Sequence, residues 1–139
     1  MTLDELYEFA EQHNIDVDWC LLKRAESLSV PLYDGFAIAI DPTRVASRAE
    51  EKDKLGHEVG HCMTGSFYSR HAPLDERGRC EERANRWEIN NVLPFDDLRE
   101  AVRSGLTALN ELAEHFCMPE TFIRRALDYY TGPRGLTFE

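Results

Sequence analysis

Two histidines four residues apart with an acid beside the first can serve a metal ion and a proton together, and LGHEVGHC, residues 55–62, has that pattern. On a helix, His57 and His61 share a face and can offer two imidazoles to one ion. Glu58 falls to one side of the pair, where its carboxylate can take a proton from a metal-activated water and return it to a leaving amine. This is the H-E-x-x-H arrangement of zinc peptidases. The competing explanation is a solvated helix with incidental histidines, but a chance match in a chain this short has a probability on the order of one per cent.

Catalytic zinc takes three protein ligands and keeps a fourth position for water, so another donor is required. The segment CEERANRWEINNVLP, residues 80–94, offers Cys80, Glu81 and Glu82 in succession. Helical neighbours point about 100° apart, so they cannot all face one ion. The residue one turn on favours Glu81: Asn85 has an amide oxygen able to accept from the non-ligating nitrogen of a zinc histidine. Glu82 is followed by Arg86, which has no acceptor. Cys80 stays open as a thiolate ligand, although Ala84 one turn on offers no such support. Two imidazoles and a carboxylate suit Zn2+, and Mn2+ or Fe2+ can enter the same donor set.

Peptide hydrolysis also asks for a donor to the developing oxyanion. Tyr68, Arg70 and His71, after the histidine helix, have suitable side chains, though such residues on a surface loop usually have no catalytic part. His13 sits at an expected helix end, where His is electrostatically favourable, and His115 belongs to the C-terminal helices; neither has the setting of a ligand. Cys62 and Cys80 border metal residues, and that adjacency turns them away from the ion. With no CxxC pair among Cys20, Cys62, Cys80 and Cys117, buried free thiols in a reducing compartment are expected.

A chain of 139 residues, 42% hydrophobic, must position these groups, which suits one domain over residues 1–139 with its own core. Its 16 Lys and Arg against 26 Asp and Glu leave a net charge of -10, which disfavours a polyanionic partner. The first residues, MTLDELYEFAEQ, are acidic and lack a basic-then-apolar signal pattern, and no apolar run approaches the roughly 20 residues of a membrane span. A cytoplasmic protein is expected.

Apolar periodicity predicts a helix over about 3–13, with Thr2 or Asp4 near its start, and a short helix around Trp19–Ala25. In SVPLYDGFAIAID the period changes to that of strands, and Asp34-Gly35 predicts a tight hairpin with Ile38 and Ile40 on one face. Pro31 restricts its strand to an edge or an end. The histidine helix should run from about Val45 to Met63, with Leu55, Val59, Cys62 and Met63 as its apolar stripe. Residues 64–79 read as an exposed loop, followed by a helix starting near Asp75 to Arg79 and stopping at Pro94. Asp96 is expected to cap a helix at Leu98–Val102, and helices at about 107–116 and 119–130 follow. The expected class is α+β, mainly helical, with residues 1–94 as the metal-site core and 95–139 as helices packed on it.

GFAIAID, LGHEVGHCMTGSFY, ERANRW with NVLPFDDL, and ELAEHF with PETFIRRALDYY together resemble the ImmA/IrrE metallopeptidases of bacteria, phages and mobile elements. The specific part is H-E-V-G-H with E-x-x-A-N. The resemblance implies a minimal zincin-like peptidase, with His57, His61 and Glu81 as ligands and Glu58 as the catalytic acid/base. It further implies that the substrate is a transcriptional repressor of a phage or mobile element, which is typically a helix-turn-helix protein. Two positions depart from the usual pattern: Gly56 stands where alanine is frequent, and Glu88 follows Trp87 where a small residue is common. Two other readings compete. One is a zinc-bearing scaffold without catalysis, against which Glu58 argues. The other is a helix-turn-helix-like binding module in ELAEHFCMPETFIRRALDYY. From Pro94 onward, however, 5 Arg and no Lys face 8 acids, a balance of -3 that disfavours DNA. An αα-corner packing Leu112, Phe116, Phe122, Ile123 and Leu127 on the core accounts for the same residues.

Overall fold

Thr2 accepts from the Glu5 amide at 3.1 Å and starts helix α1, Leu3–Gln12, which buries Leu3, Leu6 and Ala10. The computed structural model describes residues 1–138, so the final residue of the expected C-terminal segment, Glu139, lies outside the described residues. Strands β1 (Ile15–Trp19), β2 (Ser27–Pro31) and β3 (Phe36–Ile40) follow. They form a mixed sheet of order β1-β3-β2, with β1 parallel and β2 antiparallel to β3. Ile38 and Ile40 turn to the core as expected, and Pro31 ends the edge strand β2, where its missing N–H breaks no ladder bond.

Two local expectations fail here. Residues Trp19–Ala25 are not helical: Trp19 closes β1, and the Cys20 amide continues the pairing by donating to the Ile40 carbonyl at 3.1 Å. The Leu22 amide then donates to Asp41 Oδ2 at 3.1 Å, so the segment's polar groups are satisfied against the end of β3 rather than within a helical turn. The hairpin is formed, but the Leu32 amide donates to the Gly35 carbonyl at 2.8 Å. Its turn therefore pivots on Tyr33 and Asp34, one residue earlier than the Asp34-Gly35 pair.

Helix α2, Arg48–Thr64, starts at Ser47, whose hydroxyl accepts from the Glu50 amide while Glu50 reaches back to the Ala46 amide at 2.7 Å. This near-reciprocal cap fixes its first turn. Its last turn closes on Gly65, which adopts the left-handed conformation with φ 64°. Helix α3 spans Leu74–Val92, so the expected exposed loop shrinks to 65–73. Helix α4 spans Phe95–Arg103; Pro94 precedes it, and Asp96 lies in its first turn rather than capping it. Helices α5 (Leu109–Phe116) and α6 (Glu120–Thr131) form the αα-corner, with Cys117 left-handed at φ 53°.

The core runs through the whole described chain, joining Leu6 of α1, Ile40 of β3, Leu55 of α2, Leu98 of α4, Leu112 of α5 and Phe122 of α6. Phe116 and Leu127 pack half-buried against it. Two polar ties hold the corner in place. Buried Lys52 of α2 donates to the Phe116 carbonyl at the end of α5, at 2.6 Å. Tyr130 of α6 donates to the Ile89 and Leu93 carbonyls at 3.1 and 2.7 Å. Among the described residues the architecture is α+β, with six α-helices and a three-stranded mixed sheet, and no helix is long and apolar enough to cross a membrane.

Candidate metal centre

The centre forms where α2 and α3 cross. At Gly60 a Cβ would lie 2.5 Å from the Ala84 carbonyl oxygen, so only glycine lets the two backbones approach this closely. That contact sets Glu81, three residues before Ala84, and Asn85, the residue after it, over the histidine face of α2. His57 Nε2 lies 2.6 Å from Glu81 Oε2, His61 Nε2 lies 3.3 Å from Glu81 Oε1, and the two Nε2 atoms are 3.2 Å apart.

A tetrahedral zinc site with bonds of about 2.0–2.1 Å has ligand atoms about 3.3 Å apart. Two of the three edges have that length, and the third is the length of a direct hydrogen bond. The ligand atoms of His57, His61 and Glu81 lie close enough together to hold a metal ion, and two imidazoles with a carboxylate suit zinc in chemistry.

The other ring nitrogens fix which edge of each imidazole faces the site. His57 Nδ1 lies 2.8 Å from Asn85 Oδ1, the contact expected from the i+4 spacing. Arg125 Nη1 donates to the same Asn85 oxygen at 3.2 Å. An arginine can only donate, so this atom is the amide oxygen, and His57 donates to it from Nδ1, which leaves Nε2 as the nitrogen that faces Glu81 and the site. His61 Nδ1 donates to the Ser66 carbonyl at 2.6 Å, with the same consequence for its Nε2. The left-handed Gly65 turns the chain so that Ser66 presents that carbonyl to His61. Hydrogen bonds from the Nε2 sides of His57 and His61, followed by the one from Tyr68, hold the Glu81 carboxyl well below the ordinary carboxylate range against its partial burial, so it stays a carboxylate. Against its burial, hydrogen bonds to Glu81 and the Ser66 carbonyl raise the His61 imidazole, so a metal ion taking this position would displace a proton.

Cys80 and Glu82 are not brought to the centre. The Cys80 thiol faces the Phe67 carbonyl at 3.8 Å, and Glu82 pairs with Arg86 at 2.5 Å on the exposed side of α3. Glu58 is buried and lines the same cleft as His61, and the Ser27 hydroxyl donates to its Oε2 at 2.8 Å, which ties the carboxylate to edge strand β2. The cleft in front of it has a volume of about 530 Å3 and is lined by β2, the 66–70 loop, Glu58, His61 and Glu81.

Among the suggested oxyanion donors, Tyr68 and Arg70 line this cleft and His71 does not. Tyr68 donates to Glu81 Oε1 at 2.5 Å, and burial together with that carboxylate pushes its phenol up to about 12, so it stays protonated. His13 stacks on Phe9 with ring centroids 3.9 Å apart, and His115 packs edge-on to Phe116; neither joins the centre. Cys62 is buried, and desolvation followed by the Glu58 charge raises its thiol to about 12.

Sequence reasoning missed Ser27, Ser66 and Arg125. The Gly65 stop after a metal helix was a usable signal for Ser66; nothing local marked the other two. Arg125 of α6 also reaches Asp53 of α2 at 3.4 Å, so the C-terminal helix takes part in holding the centre.

The two unusual positions also meet here. Glu88 is completely buried, and neither of its carboxyl oxygens has a hydrogen-bond partner among the described residues. Its Oε2 would lie 2.9 Å from a Cβ at Gly56. Burial first, and the Asp53 charge second, push the Glu88 carboxyl well above its ordinary range. No family model, curated protein or solved structure matches the chain.

Proposed function

We propose that the chain is a zinc-dependent endopeptidase of the ImmA/IrrE type. In this reading it is a single zincin-like domain acting in the cytoplasm on a helix-turn-helix transcriptional repressor of a phage or mobile element. The observation that carries the chemical part is the convergence of two imidazole Nε2 atoms and a carboxylate, with both Nδ1 atoms engaged behind them. The repressor as substrate rests on the sequence resemblance.

A bound zinc ion supplies Lewis acidity toward a peptide carbonyl and acidifies water, and Mn2+ or Fe2+ can stand in the same donor set. The chain's own groups do the rest. Glu58, oriented by Ser27, accepts the proton of the attacking water and returns it to the departing amine. Asn85 and the Ser66 carbonyl keep both imidazoles aimed. Tyr68 offers a neutral donor at the mouth of the cleft.

The substrate's extended backbone has a berth in β2. Hydrogen bonds from Asp41 to Glu26 and from Leu32 to Gly35 bracket the hairpin, so by antiparallel alternation Leu28 and Val30 turn their backbone groups to β3. Those of Ser27 and Ser29 face outward, beside Glu58, where a peptide can add as a further strand.

The test is incubation of the zinc-loaded protein with a co-encoded repressor, followed by mass analysis of fragments. Cleavage abolished by chelator and by Glu58→Gln, with Glu58→Gln still binding one zinc, is the expected result. Stoichiometric zinc with no cleavage by wild type would favour a scaffold instead.

A further inference from the structure

The protein carries a net charge of -10, yet its cleft presents arginines. Arg24 stands on the connection leading into β2, Arg70 on the loop after α2 and Arg77 in the first turns of α3, and all three line the cleft. The cleft's two carboxylates are already engaged: Glu81 with His57, His61 and Tyr68, and Glu58 with Ser27. What a ligand meets beyond them is positive.

None of the three arginines is ion-paired among the described residues, a state they share with Arg48, Arg83, Arg103, Arg124 and Arg134; what sets them apart is their place on one cleft. Arg77 is also held in place. It donates through Nε to the Ala72 carbonyl at 2.9 Å and through Nη2 to the Arg70 carbonyl, which ties the loop to the first turns of α3 and leaves Nη1 uncommitted. Three unpaired guanidiniums lining one cleft of an otherwise acidic molecule have an evident complement, a carboxylate supplied by the ligand.

Building on the peptidase reading, we infer that the cleft selects an extended internal peptide segment bearing Asp or Glu side chains. Arg24 engages one flank of the segment, and Arg70 with Arg77 the other. Whole-molecule charge points the opposite way, toward a basic partner. The two scales separate because net charge acts at long range and is screened within about 8 Å at physiological salt, whereas the arginines act at contact. A segment docked on β2 alternates its side chains across the strand, so acidic residues at every second position reach one wall.

The test uses zinc-loaded Glu58→Gln protein and fluorescent peptides of equal length, blocked at both ends to remove terminal carboxylates. Their flanking residues are all Glu, all Gln or all Lys. Anisotropy titrations should give about tenfold tighter binding of the Glu peptides than of the Gln peptides, with Lys peptides weaker still, and the advantage should shrink as salt is raised. Arg24→Gln and Arg70→Gln, both exposed and spared the loop-holding part of Arg77, should together remove most of the advantage of the Glu over the Gln peptides, the remainder belonging to Arg77, without changing zinc content or thermal midpoint. Equal binding of Glu, Gln and Lys peptides overturns the inference, as does an acidic preference that appears only with a free C-terminus.

Cleavage of the same peptides by the wild type separates this inference from the peptidase reading. Indifferent cleavage of all three sets leaves the peptidase and removes the acidic preference. Arginine-dependent binding of the Glu peptides with no cleavage anywhere keeps the preference and removes the peptidase. No binding and no cleavage removes the acidic preference.

Discussion

Gly56 and Glu88 should be energetically coupled, and a double-mutant cycle can measure by how much. Replacing a mid-helix glycine by alanine stabilises by up to about 1 kcal/mol through backbone entropy alone. At Gly56 the new Cβ would sit 2.9 Å from Glu88 Oε2 and 3.0 Å from its Cγ, and Glu88, completely buried, cannot swing into solvent to avoid it. Overpacking of this kind costs about 1–3 kcal/mol, so Gly56→Ala should be neutral to destabilising by about 2 kcal/mol. In a Glu88→Ala background the space opens and the same substitution should stabilise by up to about 1 kcal/mol. The coupling is therefore expected at about 1–3 kcal/mol. Urea unfolding of the four proteins, with chelator present so that metal binding does not enter, reads it directly. Identical effects of Gly56→Ala in both backgrounds would refute the reasoning.

Glu88 also gives the cycle a pH signature. Its carboxyl titrates above its ordinary value when folded, so between the two values the unfolded chain has released a proton that the folded chain still holds. Fewer protons on the unfolded state mean stability falls as pH rises. The loss should begin near the unfolded carboxyl value, about 4.3, and level off above the raised folded one. Glu88→Gln should lack this component, and its stability relative to wild type should improve from pH 4 to pH 8.

Other consequences follow at the centre. Asn85→Ala should weaken zinc binding about 10–100-fold by releasing His57 Nδ1. Arg125→Ala should weaken it less, with partial recovery in Arg125→Lys; competition with a chromophoric chelator and the visible spectrum of the Co2+ form would report both. Tyr68→Phe should keep one zinc per chain and lower kcat on the order of 100-fold with a smaller change in KM, as expected for a lost oxyanion donor. Iodoacetamide on the native protein at pH 8 should alkylate exposed Cys20 and spare Cys62, which is buried with its thiol pushed up to about 12; mass mapping would show which is labelled.

Some of this was readable from spacing because the contact involved is made within one element. His57 and His61 share a face of α2 by helical period alone, and Glu81 and Asn85 share one of α3 by the same rule. The hairpin and Pro31 at its edge followed from alternation and the missing amide. β1 was not readable: IDVDW is five residues long, and its partner β3 lies about twenty residues on and runs parallel. Such a pairing leaves no turn signal between the strands, and the apolar spacing of Trp19–Ala25 mimics a short helix.

What only tertiary structure decided are the contacts between elements. Sequence alone registers Gly56 and Glu88 as two separate departures from a pattern, and Arg125 as one cation on a helix. The α2–α3 crossing at Gly60 and Ala84 puts Glu88 against Gly56, and the docking of α6 brings Arg125 to Asn85, 40 positions away. Period and residue type determine which way a side chain points from its own helix. Which other side chain it meets depends on how closely two backbones approach, and here that is set by the absence of a Cβ at Gly60.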